Sequence, residues 1–464
     1  MANKSALLHS ARYQAMLLLS EVMQEKVFIN EGLAKVLDSG RIPERDQALT
    51  TQLVYGTMQY HYTLDRLLKS FIKRPKQVKR WAWELLALSS YQYFYLDQIP
   101  PHAIVNEAVE IAKQRGNATV ARFVNGVLRH MLRQYQTIDQ AIATLASSEQ
   151  DAIAMRYSLP EMWLDYFIKR FGIEEAERLA KSLVMPSHVN VRINQTKGWS
   201  LVQVQAELEK LGYISQPSAI APNMLQIEQG NPSTSSLFAE GVITIQDESA
   251  SLAVEMLAPK PGEHVLDACA APGGKTVQLA EAVGKTGQVE SLDLDATKLP
   301  RIEANISRMG VGEWVNVRAQ DARELHRVYK AEQFDRILVD APCSGVGLFR
   351  RKPDTKQHKT LADLKALQRI QLEILDAATP LLKKGGHFVY STCTITTEEN
   401  EQVVSAYLKQ HPEMQLVPII LPEDQPLKQA LTKQGTLEIL PHYFNSDGFF
   451  IAHFIKTTDQ TNHE

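Results

Sequence analysis

The sequence predicts an α/β protein: a doubly wound, mostly parallel sheet in the C-terminal half, preceded by an all-helical front and a small α/β module. Three observations predict it. Apolar residues recur at helical spacing from residue 11 to about 140. From about 240 onwards, short apolar runs alternate with helical stretches, the rhythm of a parallel sheet covered by helices on both faces. The acidic, cysteine- and glycine-bearing turns of that half all follow the apolar runs, where open α/β sheets bind ligands.

The elements follow in order. "ARYQAMLLLSEVMQ" puts Ala11, Ala15, Leu18, Leu19 and Val22 on one helical face. "LDRLLKSFI", "WAWELLALSSYQYFYL", "HAIVNEAVEIAKQRG" and "ARFVNGVLRHML" continue the pattern, broken at Pro100 and Pro101. This gives a helical domain over 1–140. Residues 141–236 are expected to hold a helical connector ("LPEMWLDYFIKRFG") and a small α/β module around "HVNVRIN" and "SLVQVQAELEKLG", whose role stays unassigned; "GNPSTSS" is a loop by composition. The sheet domain spans 237–456. Its strands are "EHVLDA", "QVESLDLD", "WVNVRAQD", "FDRILVDA" and "HFVYSTC", with the Gly385–Gly386 pair stopping the long helix before the fifth and "DGFFIAHFIK" as a last strand. The polar tail 457–464 is expected to be disordered.

A chain of 464 residues fits two to four domains, and 44% hydrophobic with 22% charged residues is ordinary for a soluble protein. No run of 18 apolar residues occurs, so no membrane span or membrane partner is expected. The N-terminus turns polar before any signal-peptide core. Three cysteines argue against a disulfide framework and make a reducing cytoplasm the expected location. A monomer without a metal is expected. The net charge of −3 means that nucleic-acid contact must come from local basic patches.

All three cysteines fall on the strand-end rim: Cys269 in "LDACAAPGGKT", Cys343 in "LVDAPCSGVG" and Cys393 in "HFVYSTCTITTEEN". On this reading strand one ends at Asp267, and the others at Asp293, Asp321, Asp340 and Cys393. "CAAPGGKT" is not a phosphate loop, because Cys269 stands where a Walker A glycine is required. Gly273 and Gly274 still allow a tight turn and close approach of a ligand. Asp293, about 20 residues on at the second strand end, is where dinucleotide folds place the acid that binds ribose hydroxyls. Together they point to an adenosine-containing cofactor. Pro342 stiffens the turn that holds Cys343 near Asp340.

With "DACAAPGGKT", "LDLD", "AQDAR", "DAPCSGVG" and "STCT…EEN" in this order, residues 240–455 resemble the S-adenosylmethionine-dependent RNA cytosine-C5 methyltransferases. The front domain resembles the NusB family of RNA-binding bundles through "IPPHAIVNEAVEIAK" and "FVNGVLR". The combination is similar to the bacterial Sun/Fmu type, which methylates small-subunit ribosomal RNA. The resemblance implies a Rossmann-like methyltransferase domain behind a NusB-like bundle, with S-adenosyl-L-methionine as cofactor. It also implies Cys393 as nucleophile, Cys343 in product release and Asp340 in contact with the target base. Cys269, Ala270, Ala271, Pro272, Gly273, Gly274, Lys275, Asp293, Asp321 and Asp340 would line the cofactor site. Arg350, Arg351 and Lys352, in "FRRKPDTKQHK", would meet RNA phosphates. Lys298 and Lys352 depart from the family pattern, which often has arginine and histidine there. The same chemistry on transfer RNA or large-subunit RNA, and a non-catalytic RNA-binding assembly factor, are the alternatives.

Overall fold

The computed structural model describes residues 7–457, so the expected polar tail, Thr457 apart, lies outside the described residues. The chain forms two compact units. One comprises Met1–Met185 and Phe349–Lys359, the other Pro186–Leu348 and Thr360–Glu464.

The first unit is all-helical. Helix Arg80–Tyr95 is its centre; from Ala82 to Gln92 every residue is buried, so the helix is enclosed on all sides rather than along one stripe. Helices Ala11–Val22, Glu44–Gln59, Pro101–Arg115 and Ala118–Gln134 share its core. Their starts carry the expected chemistry. Ser10 and Asn117 accept hydrogen bonds from the first-turn amides, and Pro101 opens its helix at a position that needs no donor.

The boundary expected at residue 140 is not a structural one. Arg66 donates both Nη atoms to Asp151 at 3.0 Å and one to Glu161 at 2.9 Å. This fork ties helix His61–Phe71 to Glu149–Arg156 and Glu161–Phe171, so the connector to residue 185 belongs to the bundle.

Residues Phe349–Lys359 return to this unit from far along the chain. The Phe349 ring meets Trp163 edge-on at 5.3 Å. Asp354 Oδ2 accepts the Ile29 amide at 3.3 Å, and the buried Lys356 donates Nζ to the backbone oxygen and Oε1 of Gln59, each at 3.1 Å. The sequence suggested a basic stretch whose Arg350, Arg351 and Lys352 meet RNA phosphates. Arg350 (8% exposed) and Lys356 (2%) are instead buried, because this stretch packs as a strap; Lys352 is exposed and Arg351 half-buried.

Lys356 has no carboxylate among these partners, and burial pushes its pKa down to about 7. An unfolded lysine titrates near 10.4, so between about pH 7 and 10.4 the unfolded chain binds the extra proton. Stability therefore rises with pH across that window and is lowest below it. Lys356→Met is expected to raise the thermal midpoint at pH 7 and to flatten the rise between pH 7 and 10, read by calorimetry on the full chain. An unchanged pH profile would mean that Lys356 keeps its proton in the fold.

The second unit contains two sheets. Strands β1 (Val189–Ile193), β2 (Ile214–Pro217), β3 (Met224–Gln229) and β4 (Ile243–Ile245) form an antiparallel sheet in the order β2-β3-β1-β4. Because β4 lies beyond 237, the module does not end where its composition changes. It is joined to the larger sheet's layer by buried polar bonds. Arg192 donates Nη1 and Nη2 to Glu281 at 2.6 and 2.9 Å, and Asn194 Nδ2 binds the oxygens of Gly241 and Met309 at 2.9 Å.

The larger sheet has β5 (His264–Asp267), β6 (Gln288–Asp293), β7 (Val315–Ala319), β8 (Phe334–Asp340), β9 (Leu382–Thr392), β10 (Met414–Leu416), β11 (Leu437–Ile439) and β12 (Phe449–Lys456). The order is β10-β12-β9-β8-β5-β6-β7, with β11 beside β12. β5 to β9 pair in parallel, and β12 is antiparallel to β9. The chain fills one side of β5 first, then the other, so the crevice at the carboxyl ends of β5 and β8 is the topological switch point.

The Gly385–Gly386 pair does not stop the long helix. That helix ends at Ala378, where Thr379–Leu381 with Pro380 closes it, and the glycines lie inside β9. There the register against β8 jumps, Phe334 pairing with Leu382 but Arg336 with His387. Gly385 has φ +74° and a Cβ on Gly386 would come within 2.9 Å of the Asp335 oxygen, so the irregularity needs both glycines. Among the described residues no helix is long and apolar enough to cross a membrane.

Candidate active site

The rim expected at the strand ends exists. Asp267, Asp293 and Asp340 are the last residues of β5, β6 and β8; Asp321 lies two residues past β7, and Cys393 directly follows β9. Each sits at the switch point because its strand stops there.

The first turn is tight and its shape is fixed by glycine and Asp293. Gly273 has φ +101°, and a Cβ there would stand 3.1 Å from Ile302 Cα, so only glycine fits this turn. Asp293 clamps it: Oδ2 accepts the Ala271 amide at 3.1 Å, while Oδ1 accepts the amide of Asp295 at 3.0 Å. Beside it the apolar Leu294 is 67% exposed rather than packed in the core. Asn305 Nδ2 donates to the Pro272 oxygen at 3.0 Å and fixes the other arm of the turn.

Beneath the turn, Asp267 is fully buried and accepts Thr276 Oγ1 at 2.7 Å through Oδ2, while Oδ1 has no partner. Burial raises its pKa to about 7. Asp321 is held by Arg323, whose Nε and Nη2 reach its oxygens at 3.0 and 2.7 Å; this contact holds its carboxyl below the usual range. Cys269 is half-buried, and burial, then Asp267, Asp340, Asp293 and Asp321, push its thiol well up. A thiol so placed keeps its proton and is no nucleophile.

The second half of the rim is organised about Asp340. Oδ2 accepts Lys275 Nζ at 2.7 Å, and Oδ1 accepts Ser391 Oγ at 2.9 Å. The Lys275 ammonium also lies 5.2 Å over the Phe449 ring. Its own burial disfavours the charge, but Asp340, Asp267 and Cys393 outweigh that and hold it raised. Cys343 Sγ stands 3.0 Å from Cys393 Sγ, with no disulfide. The bond to Cys393, then burial, raises the Cys343 thiol well above its ordinary value. Either sulfur can donate in this contact; the raised Cys343 thiol favours keeping its own proton, and the Lys275 ammonium stands near Cys393.

A buried carboxylate locks the two cysteine loops together. Glu399 accepts the Ser344 amide at 2.8 Å, Ser344 Oγ at 2.5 Å, Thr396 Oγ1 at 2.8 Å and Gln371 Nε2 at 3.1 Å. Gln371 Nε2 also donates to the Pro342 oxygen at 3.0 Å. Next to it Asn400 accepts from Thr392 Oγ1 at 2.6 Å and donates to the Thr394 oxygen at 3.0 Å. "EEN" was visible as part of the motif, but nothing in spacing gave Glu399 and Asn400 this role. Ser391 lay inside the "STCT" motif and Phe449 inside the last strand, but their contacts with Asp340 and Lys275 were not legible, because these come from the β8–β9–β12 pairing.

The crevice fits S-adenosylmethionine. Its sulfonium and ammonium suit a rim that carries the carboxylates of Asp293, Asp321 and Asp340, and the glycine turn allows close approach of a ligand.

Comparison with known proteins agrees. Residues 254–455 match the family described as 16S rRNA methyltransferase RsmB/F, and residues 9–133 match the NusB family. The chain is 39% identical to the probable ribosomal RNA small subunit methyltransferase B of Bacillus subtilis (strain 168), over 96% of this chain and 99% of that protein. It is 34% identical to the ribosomal RNA small subunit methyltransferase B of Escherichia coli O7:K1, over 94% and 97%. The crystal structure of PH0851 superposes with a TM-score of 0.81 at 26% identity, covering 96% of this chain and 98% of that one. With both domains matched and the relatives covered nearly end to end, the chain belongs to the ribosomal RNA small subunit methyltransferase B family, an rRNA methyltransferase that uses S-adenosylmethionine.

Proposed function

We propose that this enzyme methylates carbon 5 of a cytosine in small-subunit ribosomal RNA through a covalent adduct with Cys393. The observation that carries the reading is the 3.0 Å approach of Cys343 and Cys393 beside the Lys275–Asp340 pair. Carbon 5 of cytosine is a poor nucleophile. A thiolate adding to carbon 6 converts the ring to an enamine, so one hard step becomes two easier ones. We assign the attack to Cys393 and leave the proton with Cys343, the sulfur beside it, while the Lys275 ammonium adds a positive field near Cys393. Asp340 is placed to meet the exocyclic amine and ring nitrogen 3 of a base turned out of its stack. The bound cofactor supplies an electrophilic methyl group. Afterwards carbon 5 gives its proton to a water molecule acting as base, the C–H electron pair restores the ring double bond, and the Cys393–carbon 6 bond breaks with its pair returning to sulfur; Cys343 assists this release. Ala270 to Lys275, Asp293 and Asp321 hold the cofactor, Cys269 closing the turn. Lys352 and Arg351 are the proposed phosphate contacts near this loop, and the burial of Arg350 removes it from that role. The bundle contributes to RNA selection.

Bisulfite mapping of ribosomal and transfer RNA from a deletion strain tests the reading. One small-subunit cytosine is expected to lose its protection. Loss at a transfer-RNA or large-subunit position would move the substrate, and no loss anywhere would favour a non-catalytic assembly factor.

Asp293→Ala is expected to weaken S-adenosylmethionine binding by about tenfold or more, since a hydrogen bond to a charged group is worth roughly 1.5–3 kcal/mol. The turn clamped through Ala271 loosens in the same variant, which adds to the loss. Unchanged affinity by calorimetry would remove Asp293 from the cofactor site.

A further inference from the structure

A groove of about 510 Å³ lies on the helical unit, and none of its lining residues belongs to the methyltransferase rim. Its walls are Phe71, Ile72, Val78, Trp81, Val120 and Phe123, and Lys73, Arg74 and Lys79 stand at its edge. The rings are held in place. Phe71 meets His130 and Tyr135 edge-on at 5.1 and 6.0 Å, and a Cβ on Gly116 would come within 3.2 Å of Trp81.

The charge around it opposes that of the whole chain. Between Ser70 and Trp83 there are five lysines and arginines and no acid, and between Ile111 and Ile138 again five and no acid, in a protein whose net charge is −3. Among the described residues Lys73, Arg74, Lys76 and Lys79 make no ion pair; of the five in the first stretch only Arg80 does, with Glu84. Unpaired cations cost nothing in water but offer themselves to phosphates. A floor of aromatic rings inside a rim of free cations is the build of a single-strand nucleic-acid site, where bases stack and the backbone runs along the charges. A peptide-binding groove gains nothing from an acid-free rim unless its ligand is itself polyanionic.

We propose that this groove binds an unpaired nucleotide segment of the ribosomal RNA substrate, one base stacking against Trp81 and Phe123 while Lys73, Arg74 and Lys79 hold flanking phosphates. The proposal rests on the RNA-methylating reading above and adds a second contact remote in sequence from the catalytic cysteines.

The test uses the full-length protein and a single-stranded oligouridine carrying 5-iodouridine. Photocross-links are expected on the peptides that contain Trp81 or Phe123. The exposed double variant Lys73→Ser/Lys79→Ser should weaken binding and lower the slope of log affinity against log salt by about 1.4, at roughly 0.7 per phosphate contact on a single strand. Trp81→Leu should weaken binding about tenfold, within the range of one lost base stack, without changing that slope. S-adenosylmethionine affinity by calorimetry, unchanged in both, reports an intact fold. Cross-links elsewhere, or affinity and slope equal to wild type in both variants, would overturn the proposal, including the case where a protein partner occupies the groove. Labelled methyl transfer to ribosomal RNA is read in parallel. Groove binding without any methyl transfer would defeat the catalytic reading alone, and methyl transfer with normal binding by the variants would defeat this one alone.

Discussion

Cys393→Ala abolishes both methyl transfer and any covalent RNA adduct, while Cys343→Ala forms the adduct and fails to release it. That is the expected result for the pair that meets at 3.0 Å. Removing a covalent nucleophile costs on the order of 10⁴-fold or more in turnover. Protein–RNA species that survive denaturing gel electrophoresis should accumulate in Cys343→Ala only. The double variant should behave like Cys393→Ala, since no bond forms to be broken. Cys269→Ala should trap nothing, because its thiol, ringed by four carboxylates, stays protonated. The reverse pattern, with adduct trapped by Cys393→Ala, would exchange the two roles. The Cys343 thiol, raised by its contact with Cys393 and by burial, is the poorer candidate for a thiolate nucleophile, which supports the first arrangement. No trapped species in any variant would count against covalent catalysis itself.

The second large effect belongs to a residue that touches no substrate. Glu399→Ala removes the acceptor shared by Ser344, Thr396 and Gln371. Each hydrogen bond to a charged acceptor is worth roughly 1.5–3 kcal/mol, and buried donors left alone add their own penalty, so stability should fall by about 3 kcal/mol or more. The two cysteine loops are then free to separate, and a displacement of about 1 Å costs around 10²-fold in rate. The loss should fall on kcat, with cofactor affinity by calorimetry unchanged. Glu399→Gln keeps one acceptor oxygen and should sit between the two. A Glu399→Ala protein with normal turnover and an unshifted thermal midpoint would show that the loops hold their positions without it.

These residues also mark what the sequence could and could not say. The rim was legible because each member follows an apolar run. The period of the strand ends it, and the turn that follows carries Asp, Cys or Gly. Asp267, Asp293 and Asp340 fall where the pattern places them. What was not legible depends on pairing between distant segments. Ser391 reaches Asp340 only because β9 lies beside β8 in one register, and that register rests on two glycines that look, in sequence, like a helix stop. The strap 349–359 misled for a related reason. Basic composition implies solvent, yet Phe349 and Asp354 have partners near residues 163 and 29, and their packing takes Arg350 and Lys356 inside. Likewise the small sheet runs past its expected end because β4 completes it from the far side of a compositional change.

The strap has a consequence for biosynthesis. The helical unit takes its last piece, Phe349–Lys359, from a point well past its own helices, after the four strands of the second unit's smaller sheet and four of its larger sheet have already been made. At roughly 5–20 residues per second, on the order of ten seconds separate Met185 from Lys359 as they leave the ribosome. During that interval the Gln59 oxygens and the Ile29 amide wait for Lys356 and Asp354. The N-terminal unit is thus the first to be synthesised but cannot be the first to be finished, and a nascent chain arrested before residue 349 should present it to proteases in an incomplete form.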